Sequence, residues 1–292
     1  MAVSGGPPLS WSAVADLIRL RNQTGSLLLL CPTLWALVLA GDGHPPLPLV
    51  AIFTAGVFVM RSAGVTINDW WDRDLDRRVQ RTRERPLASG RLPPHVALGV
   101  FGALLAAAAG LVSLLNPLTI ALAPVALLLA VLYPLAKRVM PLPQAVLGVA
   151  FGWGAVMAWS AVRNEIGWPA LGLFAATVCW AVGYDTIYAL QDIEDDRRIG
   201  VRSSAIFFGE RCWIAVGGAL LVTASLLALV GAATRLAPPF YLSLMVAVGL
   251  FVAQARQVRR GVSPTHAFAL FKQHVGIGAL ILAGFWSGVV LR

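Results

Sequence analysis

Residues 56–78 read GVFVMRSAGVTINDWWDRDLDRR. The first half is apolar enough for a membrane interior. The second half gathers four carboxylates, Asp69, Asp72, Asp74 and Asp76, at the mouth of that apolar run. A chain that spends its acids there must be using them there, so this stretch decides both the fold class and where chemistry is sought.

The whole chain supports the membrane reading. It has 292 residues, 58% of them hydrophobic and only 13% charged, with a mean hydropathy of +0.75. A soluble domain carries about a quarter charged residues. The apolar residues come in blocks of ~20, the length that crosses a bilayer core as a helix. Nine spans are predicted, at 23–40, 47–67, 95–114, 118–135, 143–162, 168–190, 212–232, 239–255 and 275–291. Proline or glycine marks most of the gaps, as in GDGHPP after the first span and Asn116-Pro117 after the third. The expected architecture is an all-α integral membrane protein with about nine transmembrane helices around a central cavity. One transmembrane domain over 1–292 is expected, with an N-terminal segment 1–22.

Charge sets the orientation. Of 23 lysines and arginines, only Arg163, Arg235 and Arg292 fall on one side of these spans, and Arg61 lies within one. The rest fall in segments on the other side, which the positive-inside rule makes cytoplasmic. Basic loops facing an anionic leaflet account for the net charge of +9, so no nucleic-acid partner is implied. The N-terminus has neither a cleavable signal pattern nor an Arg-rich transit pattern, and a bacterial inner membrane is the expected location. The long loops, 68–94, 191–211 and 256–274, are all cytoplasmic. The three cysteines and four histidines are scattered without metal-ligand spacing, so no His/Cys metal site is expected.

Nine of the fourteen carboxylates fall in two clusters, NDWWDRDLD at 68–76 and YDTIYALQDIEDD at 184–196. They close the second and sixth spans, four spans apart, which suggests two four-helix halves plus one helix. On a helix, residues four apart share a face. Asn68, Asp72 and Asp76 then form one row, and Asp185, Tyr188, Asp192 and Asp196 a second; Asp74, Glu194 and Asp195 point to solvent. Acids so arranged repel one another unless cations lie between the rows. Oxygen-only donors suit Mg²⁺, which binds through a few carboxylates plus substrate phosphates, so the two rows read as a Mg²⁺–diphosphate site. A single such cluster would equally suit a solvated helix end paired to nearby arginines. Two clusters of the same spacing, each following apolar sequence, favour function.

These residues resemble the UbiA superfamily of intramembrane prenyltransferases. N-D-x-x-D-x-x-x-D at 68–76 and Y-D-T-x-Y-A-x-x-D-x-x-D-D at 184–196 carry the resemblance. The flanks MRSAGVTIND (60–69), RTRERPLASG (81–90), YPLAKR (133–138), LPQAVLG (142–148) and GVRSSAIFFG (200–209) resemble the 4-hydroxybenzoate polyprenyltransferase branch. The resemblance implies that Asn68, Asp72, Asp76, Asp192 and Asp196 hold Mg²⁺ on a polyprenyl diphosphate, the four aspartates being the catalytic acids. It implies that Arg81, Lys137, Arg19 and Tyr133 bind the diphosphate, and that Arg61 and Asp185 face the aromatic acid. The loop arginines 83, 85 and 91 read as topology determinants. Where the branch carries a Lys-Pro pair after the first-helix arginine, this chain has RLRNQTG. Dihydroxynaphthoate, homogentisate and haem are alternative acceptors within the superfamily. Outside it, a proton-coupled transporter would place its acids nearer mid-membrane, and a CDP-alcohol phosphotransferase would need a D-G-x-x-A-R lead-in that is missing.

Overall fold

The computed structural model describes residues 10–200 and 202–292, apart from the side chains of Lys137 and Ile199. A short helix α1 (Trp11–Leu17) precedes the bundle. The bundle helices are α2 (Thr24–Ala40), α3 (Leu47–Asp76), α4 (Pro94–Val112), α5 (Pro117–Val139), α6 (Pro143–Arg163) and α7 (Trp168–Ala189). Two short helices, α8 (Ile193–Ile199) and α9 (Ser204–Phe208), then lead to α10 (Cys212–Ala233), α11 (Pro238–Arg260) and α12 (Pro264–Val290). Eight of the helices are long and apolar enough to cross a membrane, and α2, of 17 residues, is a shorter apolar helix. These nine correspond to the predicted spans.

Proline stands at the start of α3, α4, α5, α6, α7, α11 and α12. It loses nothing there, because the first helical N–H has no partner within the helix. Asn116 and Ser263 cap α5 and α12 by accepting from the backbone N–H groups of Thr119 and His266. Glycine at positive φ closes α8 at Gly200 and α11 at Gly261.

Neighbouring helices pack in a ring: α2 against α3 and α6, α6 against α7, α7 against α10, then α10, α11 and α12, with α12 returning to α2 and α7. Helices α4 and α5 lie outermost and are the least buried of the long helices. Leu127, Leu128 and Leu132 of α5 stay exposed, as lipid-facing residues do. A continuous core runs through the ring, with Trp35, Trp180, Tyr184, Phe240, Phe251 and Phe285 fully buried. The cysteines are free, Cys31 and Cys212 buried and Cys179 partly so.

The expected long loops are partly helical: α3 continues to Asp76, and α8 and α9 lie within 191–211. Residues 256–274 do not form a long loop; α11 runs through Arg260 and α12 begins at Pro264, leaving only 261–263 between them. Polar side chains hid this helical pair from hydropathy, and they bond across it. Gln254 donates to Gln273 at 3.2 Å and to the Leu270 carbonyl at 3.3 Å, and His266 lies 2.7 Å from Gln257.

Close approach of α6 to α7 depends on Gly148, where an added Cβ would lie 2.8 Å from both Cα and O of Val178. Backbone atoms cannot rotate aside, so Gly148→Val must separate the two helices. Overpacking of this kind costs ~1–3 kcal/mol. The expected outcome is a lower Tm in detergent by intrinsic fluorescence; an unchanged Tm would show that the two helices have slack.

Candidate active site

The apolar run of α3 continues as helix through the acidic stretch, so Asn68, Asp72 and Asp76 do share one face. Asn68 and Asp76 line a cavity of about 480 Å³ at the acid-bearing end of the bundle. Asp72 is fully buried, its carboxylate 3.4 Å from the Arg138 guanidinium at the end of α5. Asp74 points outward beside Arg73 and Arg77.

The second row is not one helical face. Helix α7 stops at Ala189, and Asp192 precedes α8, which carries Asp196 in its first turn. Gln191 donates its side chain to the Tyr188 carbonyl at 3.0 Å, and the Asp192 N–H bonds three residues back to Ala189. These contacts take up the carbonyls that a longer helix would have used. The break still leaves Tyr184, Asp185, Tyr188, Asp192 and Asp196 on the same cavity. Asp195 pairs with Arg198 and Glu194 is exposed.

Arginines reach the acids from three directions. Arg81 donates to both oxygens of Asp192 at 2.5 and 2.8 Å and to the Tyr188 hydroxyl at 2.9 Å. Its guanidinium also lies over the Tyr188 ring, 5.4 Å from the centroid. Arg19 contacts both oxygens of Asp69 at 2.8 Å. Arg85 bridges Asp69 at 3.0 Å and Asp76 at 2.9 Å through one nitrogen. Burial opposes the charge on Arg85, but the two carboxylates outweigh it and raise the pKa above the ordinary arginine value. At Arg19 burial wins over Asp69 and the pKa is lowered.

Arg19 has φ +57°, uncommon for a residue with a side chain. Its bonds to the Asp16 carbonyl and to Asp69 hold it at the turn where α1 gives way to α2. From sequence alone Arg85 has only a topology role and Asp69 belongs to neither acid row, and nothing in the local pattern separates Arg85 from Arg83. The loop places it: Leu87 and Leu92 pack on Ala13 and Leu17 of α1, and the Thr82 hydroxyl bonds the Asp76 carbonyl at 3.0 Å. Arg83 pairs with exposed Glu84, and Arg91 with Asp16. Arg85 therefore lines the cavity, whereas Arg83 and Arg91 do not. The Lys137 side chain lies outside the described residues.

Arg61 sits where the polar cavity meets an apolar groove of about 640 Å³ walled by α2–α6. Among the described residues it makes no ion pair; Asp69, which lines the same cavity, pairs with Arg19 and Arg85. Gly25 admits it, since a Cβ there would lie 2.7 Å from Nε and from Nη2 of Arg61. Tyr133, Leu147 and Phe151 line both spaces, and Phe53, Val57, Leu105 and Met157 line the groove alone. Such a pair of spaces fits an amphiphile with an anionic head and a long apolar tail. Among the described residues, no three His, Cys, Asp or Glu side chains stand close enough to form a ready metal cluster. The acids and the Asn68 amide offer oxygen donors only, and Mg²⁺ that keeps waters and phosphate oxygens needs just one or two of them.

The profile of the UbiA prenyltransferase family matches residues 29–286. A 4-hydroxybenzoate octaprenyltransferase of Aeromonas hydrophila is 45% identical over 93% of this chain and 94% of its own length. A 4-hydroxybenzoate solanesyltransferase of Synechocystis sp. is 42% identical, over 97% of each chain. Among solved structures, an apo UbiA homolog from Aeropyrum pernix K1 superposes with a TM-score of 0.76 at 27% identity, covering 88% of this chain and 96% of that one. A UbiA homolog from Archaeoglobus fulgidus bound to GPP and Mg²⁺ superposes with a TM-score of 0.66 at 20% identity, over 95% and 99%.

The Arg81–Asp192 pair ties the 77–93 loop to the start of α8. Arg81→Ala is expected to speed limited tryptic cleavage within 77–91 and 197–211 relative to wild type. Equal cleavage rates would show that the pair does not hold these loops.

Proposed function

This chain belongs to the UbiA prenyltransferase family, and from that premise we propose that it transfers a polyprenyl group to 4-hydroxybenzoate. The donor is polyprenyl diphosphate, and the products are 3-polyprenyl-4-hydroxybenzoate and diphosphate, a step of ubiquinone biosynthesis. The carrying observation is the junction at Arg61 and Tyr133, where a cavity lined by acids and arginines opens into an apolar groove. The diphosphate sits in the first and the isoprenoid tail in the second. In this reading the acid-bearing end faces the cytoplasm of a bacterial inner membrane, in keeping with its arginines.

The reaction breaks the allylic C–O bond, forms a C–C bond ortho to the phenol hydroxyl and releases the ring proton. Leaving requires that negative charge growing on the diphosphate be stabilised by groups already in place. Asn68, Asp72, Asp76, Asp192 and Asp196 would hold Mg²⁺, which when bound supplies charge to the leaving diphosphate. Arg81, Arg19, Lys137 and the Tyr133 hydroxyl complete the diphosphate site. The rings of Tyr133 and Phe151, at the junction, offer π faces to the allylic cation and keep water from it. Arg61, which makes no ion pair among the described residues, anchors the acceptor carboxylate at the same junction, and Asp185 stands on the acceptor side. The 4-hydroxybenzoate acceptor rests on the relatives' named activities.

Purified protein given geranyl diphosphate, 4-hydroxybenzoate and Mg²⁺ is expected to form the 3-geranyl product, and EDTA to abolish it. Turnover only with another phenol or with haem would overturn the acceptor and spare the reaction class. Asp76→Asn and Asp192→Asn are each expected to lose ~10²–10³-fold in kcat, and full activity in either would contradict the assigned roles.

Gly25→Ala tests the acceptor side. Its methyl group displaces the Arg61 guanidinium, which should cost ~10-fold or more in kcat/KM for 4-hydroxybenzoate. The KM for geranyl diphosphate should change little. Equal effects on both substrates would remove Arg61 from the acceptor site.

A further inference from the structure

Residues 211–292 include no aspartate or glutamate, yet Arg256, Arg259 and Arg260 crowd the end of α11. This is the acid-bearing end of the bundle, since Phe268 and Phe271, near the start of α12, line the polar cavity. All three arginines are exposed. Among the described residues none of them makes an ion pair or donates a hydrogen bond, and Glu210, the last acid in the sequence, pairs with none. Other arginines at this end meet carboxylates, as Arg19, Arg77, Arg81 and Arg85 do. A helix C-terminus favours a cation, but like charges three and four residues apart repel. Three together leave positive charge that an anion from outside the chain would balance.

The surroundings indicate what carries that anion. Helices α10 and α11 are in close contact where a Cβ on Gly217 would lie 3.2 Å from that of Ala255. One turn nearer the end, the Arg259 guanidinium lies over the Trp213 ring, 4.9 Å from its centroid. Steps of three and four join Met245, Gly249, Ala253, Arg256 and Arg260 on one exposed face of α11. That face is apolar along its length and cationic at its end, with an indole at the edge. Tryptophan favours the headgroup level of a bilayer, and basic pockets between membrane helices suit phosphate head groups.

We propose that the seam between α10 and α11 binds an anionic phospholipid at this end. Arg256, Arg259 and Arg260 hold its phosphate beside Trp213, and its acyl chains follow the stripe of Met245, Gly249 and Ala253. The inference rests on the membrane reading alone and is independent of the reaction. A soluble anion would use the guanidinium groups and leave the stripe idle, whereas a phospholipid matches both. A zwitterionic lipid brings its own cation to the phosphate and gains less from three arginines.

The test titrates the full chain in detergent with dioleoyl phosphatidylglycerol or dioleoyl phosphatidylcholine, read by native mass spectrometry. Wild-type protein should bind the first phosphatidylglycerol about fivefold more tightly or better, roughly what one basic side chain contributes at an anionic surface. Arg256→Gln combined with Arg260→Gln should bring phosphatidylglycerol down to the phosphatidylcholine value. Arg78→Gln combined with Arg83→Gln removes as much charge from the same end and should keep the preference, which separates a site from the general field. Trp213→Leu keeps every charge but removes the ring under Arg259. It should weaken phosphatidylglycerol about threefold, and serves if the double variant does not fold. Inorganic phosphate at equal concentration should not displace the lipid; if it does, the apolar stripe has no part and the proposal fails. Equal wild-type affinity for the two lipids overturns it, as does a preference that survives in the Arg256/Arg260 variant or falls equally in the Arg78/Arg83 variant. A wild-type dimer that the Arg256/Arg260 variant breaks would also overturn it, by giving this face to a second copy.

Discussion

A carboxylate drawn into the end of an apolar bundle loses hydration worth several kcal/mol, which neighbouring cations must offset. Asp69 and Asp72 are almost fully buried in this way. The counter-charges come from other parts of the chain: Arg19 from the turn before α2, Arg85 from the loop after α3, and Arg138 from the end of α5. Charge compensation therefore also joins segments that share little apolar contact. The α1 turn and the 77–93 loop meet through Asp69 and through the small cluster of Ala13, Leu17, Leu87 and Leu92. The cavity exists because these pairs hold its rim while the bundle supplies its floor.

Below the rim the walls change character within one residue layer. Arg61, Tyr133, Leu147 and Phe151 belong to both spaces, so the boundary between polar and apolar surroundings passes through them. That boundary is where an allylic diphosphate has its reactive carbon. The helices α4 and α5 that wall the groove are the least buried of the long helices. A tail in the groove thus lies next to lipid, and its length need not be matched by a closed pocket. The acids that line the cavity come from α3, α7, α8 and the break between the last two, while Tyr133 and Phe151 come from α5 and α6.

Much of this was legible in the residues, and the failures have physical causes. The row Asn68, Asp72, Asp76 could be read because α3 is one helix from Leu47 to Asp76, so its period carries into the acidic stretch. The row through Asp185 and Asp192 could not, because α7 ends at Ala189 and tertiary pairing with Arg81 places Asp192 instead. Arg85 was indistinguishable from Arg83, since a loop side chain's direction is set by what the loop packs on. The end of α11 and start of α12 were read as loop because glutamines that bond to each other lower the hydropathy of a helical pair. Arg61 stood out from the start, as an arginine within a span needs a reason, and the structure places it at the junction of the two spaces.

In the proposed reaction the acids reach the diphosphate through a divalent metal. Sulfur in place of a non-bridging oxygen of the donor's diphosphate tests it, because Mg²⁺ binds sulfur poorly and Cd²⁺ binds it well. Turnover of this analogue relative to the normal donor should be measured with each metal. A rate deficit with Mg²⁺ that largely disappears with Cd²⁺ is the predicted result. An equal deficit with both metals would contradict the account, since the diphosphate would then be held without direct contact to the metal.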